Sequence, residues 1–303
     1  MVLHPQAAAA LARWEQEQRV TDLAFDIAAQ RAQARAEAAQ EPREEVAQAL
    51  DVDAAGVPCR WYLPASTDPA GRGVAGAIVY AHGGGFVFGD LETHDAQARR
   101  LANRTGLAVL AVDYRRPPEH RFPAAPDDVE TALHWLVGRA PGLGVDVSRL
   151  VVLGDSAGAN LVLVAALRNP QLCAAAVLVY PFLDPGMGTA SYRREAGGLG
   201  REEAAWYWQQ YAAAPEDLDD ADLAPLRSTR LATLPPTLVV AAEHDPLLDE
   251  DVDLARRLEA AGVPTELATY PGMVHGFWRH PAQFDAAEES LARIADFLRR
   301  TLA

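Results

Sequence analysis

The stretch VVLGDSAGANL, residues 151–161, joins a short apolar run to a Gly-x-Ser-x-Gly turn and the start of a helix. Gly154 and Gly158 stand two residues before and two residues after Ser156. A nucleophile elbow requires small residues at these positions, because its very tight strand-to-helix turn brings their backbones together. Such a turn lifts the serine hydroxyl clear of the sheet. Gly-x-Ser-x-Gly alone also occurs in plain turns, but the strand-turn-helix context predicts that Ser156 is a nucleophile.

Strand-like and helix-like runs alternate on both sides of this turn. The runs at 77–82 (AIVYAH) and 107–114 (LAVLAVDY) are short and continuous, which is typical of strands covered on both faces. PDDVETALHWLVG predicts a helix that ends at Gly138. The alternation predicts an α/β fold with a mostly parallel sheet. Residues 1–48 predict about two amphipathic helices, and residues from about 183 to 230 predict a helical insertion over the ligand-binding edge of the sheet.

The composition excludes several classes of protein. A formal net charge of -15 argues against nucleic acid as the main partner, since phosphate binding needs a basic face. The chain has no lysine, which excludes chemistry that needs a Schiff-base or P-loop lysine. Its two cysteines, Cys59 and Cys173, lie in strand-like runs and predict buried, reduced thiols. We find neither a signal peptide nor an apolar run of about 20 residues, so we expect a cytoplasmic protein.

A serine nucleophile needs a base and an acid that orients the base. His275 follows a strand-like run in a Pro-Gly loop, which makes it the best candidate for the base. Asp245 directly follows the run TLVVAAE, and Pro246 biases it away from a helix. We therefore favour Asp245 as the acid. Asp249 remains the alternative, although it and the two acids after it are equally explained as the cap and first turn of the next helix.

Three successive glycines, Gly83 to Gly85, follow the strand-like run that ends at His82. Acyl transfer places negative charge on the carbonyl oxygen, and aligned backbone N–H groups stabilise that charge. Glycines allow the backbone to approach the substrate without a Cβ in between. A plain turn does not require three of them, so we interpret this loop as part of an oxyanion hole.

Five motifs occur in an order that closely resembles the hormone-sensitive-lipase-like esterases of the α/β-hydrolase superfamily. They are HGGGF, YRRPPEHRFPAAPDD, GDSAGANL, DPLLDE and HGF, and the resemblance runs from about residue 57 to the end. It implies an α/β-hydrolase fold in which Ser156 is the nucleophile, Asp245 the acid and His275 the base. It also implies an oxyanion hole formed by the N–H groups of Gly84, Gly85 and Ala157, with Gly83 as the hinge.

The same resemblance implies a helical cap made of residues 1–48 and the 183–230 insertion, on a catalytic domain spanning 49–303. Two positions depart from the group: Ala159 replaces its usual glycine, and YRRPPEH replaces YRLAPEH. We expect Phe86, Trp206 and Phe277 to bind the substrate as aromatic walls. A pocket shortened by such walls predicts best turnover on acyl chains of roughly four to eight carbons, since each buried CH₂ contributes about 0.8 kcal/mol.

The sequence therefore predicts a serine carboxylic-ester hydrolase that needs no cofactor and no metal. The glycine pattern of residues 71–76 fits a dinucleotide fingerprint, but it precedes a strand and we interpret it as a turn. The predicted partner is a small-molecule ester, without nucleic acid or stable membrane association, and a homodimer is left open. Two alternatives remain: an amidase or deacetylase with the same triad, and a non-catalytic binding protein on this fold.

Overall fold

The computed structural model describes residues 2–16, 18–67, 75–194 and 198–303. Eight strands form one sheet in the order β1-β2-β4-β3-β5-β6-β7-β8. β1 pairs antiparallel with β2, β2 pairs antiparallel with β4, and all later neighbours are parallel. The strands are β1 (Gln48–Ala54), β2 (Val57–Leu63), β3 (Ala77–Ala81), β4 (Ala108–Val112), β5 (Leu150–Asp155), β6 (Ala175–Val179), β7 (Thr237–His244) and β8 (Thr265–Val274). The predicted α/β architecture with a mostly parallel sheet is confirmed.

Helices cover both faces of the sheet. They are α1 (Pro5–Trp14), α2 (Ile27–Ala38), α3 (Asp95–Thr105), α4 (Ala124–Leu143), α5 (Ala157–Arg168), α6 (Arg201–Tyr211), α7 (Leu248–Ala260) and α8 (Asp285–Thr301). Every residue of β3, β4, β5 and β6 is buried, as continuous apolar runs predict. Alternate residues enter two separate cores: Val79 and Val152 face one, whereas Ile78 and Val151 face the other.

The first strand was not predicted from the sequence. β1 begins at Gln48 and lies at the edge of the sheet, where most of its side chains are exposed. It pairs with β2 through a tight turn at Ala55 and Gly56, both of which have positive φ. An exposed edge strand carries no continuous apolar run, so the pattern that revealed the inner strands was missing here.

The predicted end of α4 at Gly138 is wrong. The helix continues for another turn and ends before Gly144, which adopts the left-handed conformation with φ of 69°. Leu136 and Ala140 continue its buried stripe past Gly138. Packing of that stripe outweighs the low helix propensities of Gly138, Pro141 and Gly142.

The segments predicted as a cap are held to the sheet by side-chain and main-chain contacts. Arg31 of α2 donates hydrogen bonds to the carbonyl oxygens of Val87 and Pro117. Asn160 of α5 donates to the carbonyl oxygen of Leu223 in the insertion. The proposed domain boundaries stay a prediction, and most of the predicted turn at 71–76 lies outside the described residues.

Both thiols, Cys59 and Cys173, are free and buried, and burial raises the pKa of each to about 12.

Across the part of the chain that the structure describes, no helix combines the length and the apolar character needed to cross a membrane.

Candidate active site

Ser156 occupies the sharp turn between β5 and α5, with φ of 54° and ψ of -120°. A Cβ on Gly154 would lie 2.4 Å from the backbone of Gly158, and a Cβ on Gly158 would lie 2.1 Å from the carbonyl oxygen of Ala81. Real Cβ atoms do not approach so closely, so the turn requires glycine at both positions. The spacing that singled out Ser156 in the sequence thus has a direct steric cause.

Ser156, His275 and Asp245 form one hydrogen-bonded chain. Nε2 of His275 lies 3.0 Å from Oγ of Ser156, and Nδ1 lies 2.7 Å from Oδ2 of Asp245. Each residue directly follows the end of a strand: β5, β8 and β7 respectively. The carboxyl ends of parallel strands meet at one edge of the sheet, which brings together residues up to 119 positions apart in the chain.

The environment of His275 keeps its imidazole basic. Burial disfavours the charged ring, but the charge of Asp245 and its hydrogen bond outweigh burial, so the pKa of His275 is raised above its ordinary value. Asp155 and Glu203 add to this rise through their charges. Asp245 is itself fixed, since its Oδ1 accepts a hydrogen bond from the N–H of Leu247 at 2.9 Å.

The structure separates Asp249 from this chain and corrects its expected capping role. The N-cap residue of α7 is Leu247, which makes no side-chain capping bond, and Asp249 lies in the first turn. The Asp249 carboxylate instead accepts hydrogen bonds from the N–H of Ser191 and the guanidinium of Arg194. Helix α7 starts close to the segment predicted as an insertion, so the Asp249 carboxylate links that segment to the core by hydrogen bonds.

The glycine loop after β3 is held by the residue before the nucleophile. Oδ1 of Asp155 accepts a hydrogen bond from the N–H of Gly83 at 3.1 Å and another from the hydroxyl of Tyr80 at 2.9 Å. Burial raises the pKa of Asp155, although both of these bonds favour its charged form. The elbow and the glycine loop are therefore linked by one buried carboxyl group, a role that the sequence motif alone did not reveal.

The predicted donors of the oxyanion hole lie where the elbow meets the glycine loop. Gly84 and Gly85 have positive φ values of 119° and 57°, and Ala157 is the first residue of α5. None of the three N–H groups donates a hydrogen bond to another described residue. Three such donors beside a helix N-terminus can stabilise an anionic oxygen.

Helix α6 closes over the glycine loop through Tyr207. A Cβ on Gly85 would lie 2.2 Å from the ring of Tyr207, so only glycine fits beneath it. The Tyr207 hydroxyl donates a hydrogen bond to Oε1 of Glu203, one turn earlier, at 3.0 Å. Sequence reasoning missed this contact, because nothing in the local pattern shows which loop a distant helix covers.

The three predicted wall residues differ in exposure. Phe86 is fully buried and stacks on Tyr211 with ring centroids 3.7 Å apart. Phe277 is also fully buried and packs against Tyr180. Of the three, Trp206 alone is half-buried, so part of its ring is accessible to a ligand. Substrate contact by Phe86 and Phe277 stays a prediction, since protein encloses both rings.

His82, which precedes the glycine loop, is buried in a stack of rings. His82 stacks between His94 and Tyr114, and burial lowers the pKa of His82 to about 3. Its Nδ1 contacts the carbonyl oxygen of Gly83 at 2.9 Å. Within the described ranges, no three His, Cys, Asp or Glu side chains are arranged to hold a metal ion. We assign His82 to the support of the glycine loop.

Comparison with known proteins places this geometry in a family. A sequence profile of the alpha/beta hydrolase fold matches residues 78–279. The chain is 39% identical to an ethyl acetate hydrolase of Pseudomonas putida over 256 residues, covering 81% of this chain and 79% of the relative. It is 37% identical to the carboxylesterase NlhH of Mycobacterium tuberculosis over 257 residues, with coverage of 81% and 79%. A solved structure, the hyperthermophilic esterase from the archaeon Pyrobaculum calidifontis, superposes with a TM-score of 0.89 at 33% identity and covers both chains completely.

Proposed function

Because the chain belongs to the hormone-sensitive-lipase-like esterases of the α/β-hydrolase fold and is a carboxylesterase, we propose that Ser156, His275 and Asp245 carry its hydrolytic reaction. The observation that carries the proposal is the unbroken chain of hydrogen bonds from Ser156 Oγ through His275 to Asp245. Serine becomes an effective nucleophile only when a neighbouring base accepts its proton.

In the first half of the reaction, His275 Nε2 takes the proton of Ser156 as Oγ attacks the ester carbonyl carbon. The carbonyl oxygen becomes an oxyanion, and the N–H groups of Gly84, Gly85 and Ala157 are available to it. His275 then gives the proton to the alcohol oxygen, the C–O bond breaks, and an acyl-enzyme remains. Asp245 stabilises the imidazolium and holds the ring in its tautomer.

In the second half, His275 takes a proton from water, and the resulting hydroxide attacks the acyl carbon. The proton returns to Ser156 Oγ as the acid leaves. Each donor in the oxyanion hole contributes about 2.7–4 kcal/mol to transition-state stability. Asp155 acts as a positioning residue, since it fixes the hinge glycine of that hole without touching the substrate.

The acyl portion meets an aromatic boundary between α6 and the core. Trp208 packs on Phe182 at a centroid distance of 4.2 Å, and Phe86 stacks on Tyr211. This packing supports a closed end and therefore a preference for acyl chains of roughly four to eight carbons by the burial argument. Trp206 has the exposure needed to border the bound ester.

A matched panel of acyl esters and amides tests the reaction class. We expect hydrolysis of the esters and much slower hydrolysis of amides that carry the same acyl groups. Amide turnover equal to or above ester turnover would assign the triad to an amidase or deacetylase. Absence of turnover on every compound would favour the non-catalytic alternative.

Cytoplasmic location and a homodimeric state stay predictions. Light scattering coupled to size-exclusion chromatography measures the mass in solution against the 32.6 kDa of one chain.

A further inference from the structure

An aromatic cluster stands beside the glycine loop on the side covered by α6. It consists of Phe25, Phe88, Trp206 and Tyr207. Trp206 lies parallel to Phe88 at 6.2 Å, and Phe25 meets both rings edge-on at about 6 Å. Tyr207 contacts Trp206 at 5.4 Å and Phe88 at 6.1 Å. Phe25, Phe88 and Trp206 are only half-buried, so the cluster retains accessible ring surface.

Glu203 adds a carboxylate to this cluster. It stands three and four residues before Trp206 and Tyr207, which places all three on neighbouring positions of one helix surface. Among the described residues, no arginine or histidine lies within ion-pair distance of Glu203, and the Tyr207 hydroxyl is its hydrogen-bonding side chain. Burial raises the pKa of Glu203, while hydrogen bonds from Tyr207 and the Gly200 backbone, and the more distant charges of His275 and Arg19, offset part of the rise.

The first turn of α6 explains why a carboxylate is tolerated at this position, since helix N-termini favour negative charge. It does not explain why the carboxylate stands half-buried beside several aromatic rings. Most half-buried carboxylates among the described residues are paired with arginine, as Glu44, Glu130 and Asp222 are. An unpaired carboxylate beside aromatic faces is the combination that binds quaternary or protonated amines.

The cluster is also adjacent to the reacting atoms. Tyr207 lies on Gly85, and the charge of Glu203 acts on His275 and contributes to its raised pKa. A Cβ on Gly198, just before α6, would lie 3.8 Å from the carbonyl oxygen of His275. His275 protonates the departing alcohol in the proposed reaction. We therefore place the alcohol portion beside the half-buried Trp206 and the acyl portion at the buried rings of Phe86 and Trp208, which changes the expected acyl-wall role of Trp206.

We propose that Glu203 and the aromatic cluster form a binding site for a cationic alcohol group, so that the enzyme prefers esters of amino alcohols. The inference rests on the proposed esterase reaction and specifies its substrate class. Cation–π contact between the ammonium group and the rings, together with attraction to the carboxylate, distinguishes such an alcohol from a neutral one of equal shape.

The experiment compares an acylcholine with the 3,3-dimethylbutyl ester of the same acid, in which a carbon replaces the charged nitrogen. In the parent enzyme we expect kcat/KM for the choline ester to exceed that for the neutral ester by about 2- to 30-fold, the range given by cation–π contacts. Added salt should reduce the ratio, since it screens the carboxylate.

Glu203→Gln should bring the ratio close to one, because glutamine keeps the shape and loses the charge. Glu202→Gln is the matched control: it makes the same change on the exposed neighbouring residue and should retain the parent ratio. Tetramethylammonium should competitively inhibit the parent on the neutral ester, which tests the site without any substitution.

A parent ratio of one or less, or a Glu203→Gln ratio equal to the parent's, would overturn the cation site. Hydrolysis of the neutral ester reports separately on the esterase reaction. If neither ester is cleaved, the proposed function fails; if only the preference is missing, the inference alone fails.

Discussion

The sheet edge and the segments predicted as a cap, residues 1–48 and 183–230, both border the candidate site, but they are fixed in different ways. At the sheet edge, Ser156, Asp245 and His275 each follow a strand directly, so backbone pairing determines where they lie. The cap reaches the same site through side chains, such as Arg31 on the carbonyl oxygen of Val87 and Tyr207 on Gly85. Substitutions at the edge should therefore reduce turnover of every ester, whereas substitutions in the predicted cap should change which ester is turned over.

The largest effect is expected at the nucleophile. Ser156→Ala removes the attacking oxygen and should lower turnover by about 10⁴–10⁶ on all esters, with the fold intact. A fluorophosphonate probe should label the parent enzyme and leave the variant unlabelled. Labelling of the variant would assign the nucleophile to another residue, and circular dichroism controls for folding.

Asp245 at the sheet edge and Asp249 at the start of α7 should respond differently to the same substitution. Asp245→Asn should lower turnover by about 10³–10⁴, because asparagine cannot hold His275 in the required tautomer. Asp249→Asn, the control, loses a partly exposed ion pair with Arg194 worth up to about 1 kcal/mol, so it should mainly lower Tm. The reverse pattern of activity and Tm would show that the wrong aspartate has been chosen.

Gly85 is the point at which the two regions touch. Gly85→Ala places a Cβ 2.2 Å from the ring of Tyr207 and should lower kcat by about 10²–10³, as loss of one oxyanion donor does. Gly106→Ala is a matched control: Gly106 also has positive φ, but nothing lies within 4 Å of its added Cβ. It should cost stability without lowering kcat. An unimpaired Gly85→Ala enzyme would argue against the glycine loop as the oxyanion hole.

The acyl-length profile tests the boundary formed by the cap. For p-nitrophenyl esters, kcat/KM should rise by up to about fourfold per CH₂ as apolar surface is buried, and then fall beyond roughly eight carbons. A continued rise through long-chain esters would indicate an open groove instead of a closed end.

The smallest expected effect is a change in pH dependence. His275 must be neutral to accept the Ser156 proton, so kcat/KM falls as pH drops through the pKa of His275. That pKa is raised, so the acid limb of the pH profile should lie at a higher pH than an ordinary histidine would give. Glu203→Gln removes one of the charges that raise it and should move the limb to lower pH, whereas Glu202→Gln should not. A shift of the acid limb to higher pH would contradict the effect of the Glu203 charge on His275.

The same contrast explains which features could be predicted from sequence. The sequence was sufficient to predict the inner strands, the tight turn at Ser156 and the strand-end positions of Asp245 and His275, because each combines a local pattern with the end of a strand. β1 was not, since an exposed edge strand has no buried stripe. The contacts of Tyr207 with Gly85 and of Asp249 with Arg194 depend on how a segment far away in the chain docks, and no local pattern specifies that docking.

The contact between Tyr207 and Gly85 has a consequence for how such enzymes diversify. A cap helix transplanted from a relative would bring its own side chain to the surface of the glycine loop, where only a backbone without Cβ fits beneath a tyrosine ring. The unit that recombination can exchange without damage is therefore neither the cap alone nor the core alone. It is α6 together with the loop beneath it, so chimaeras that move both segments from one parent should retain turnover where chimaeras that divide them lose it.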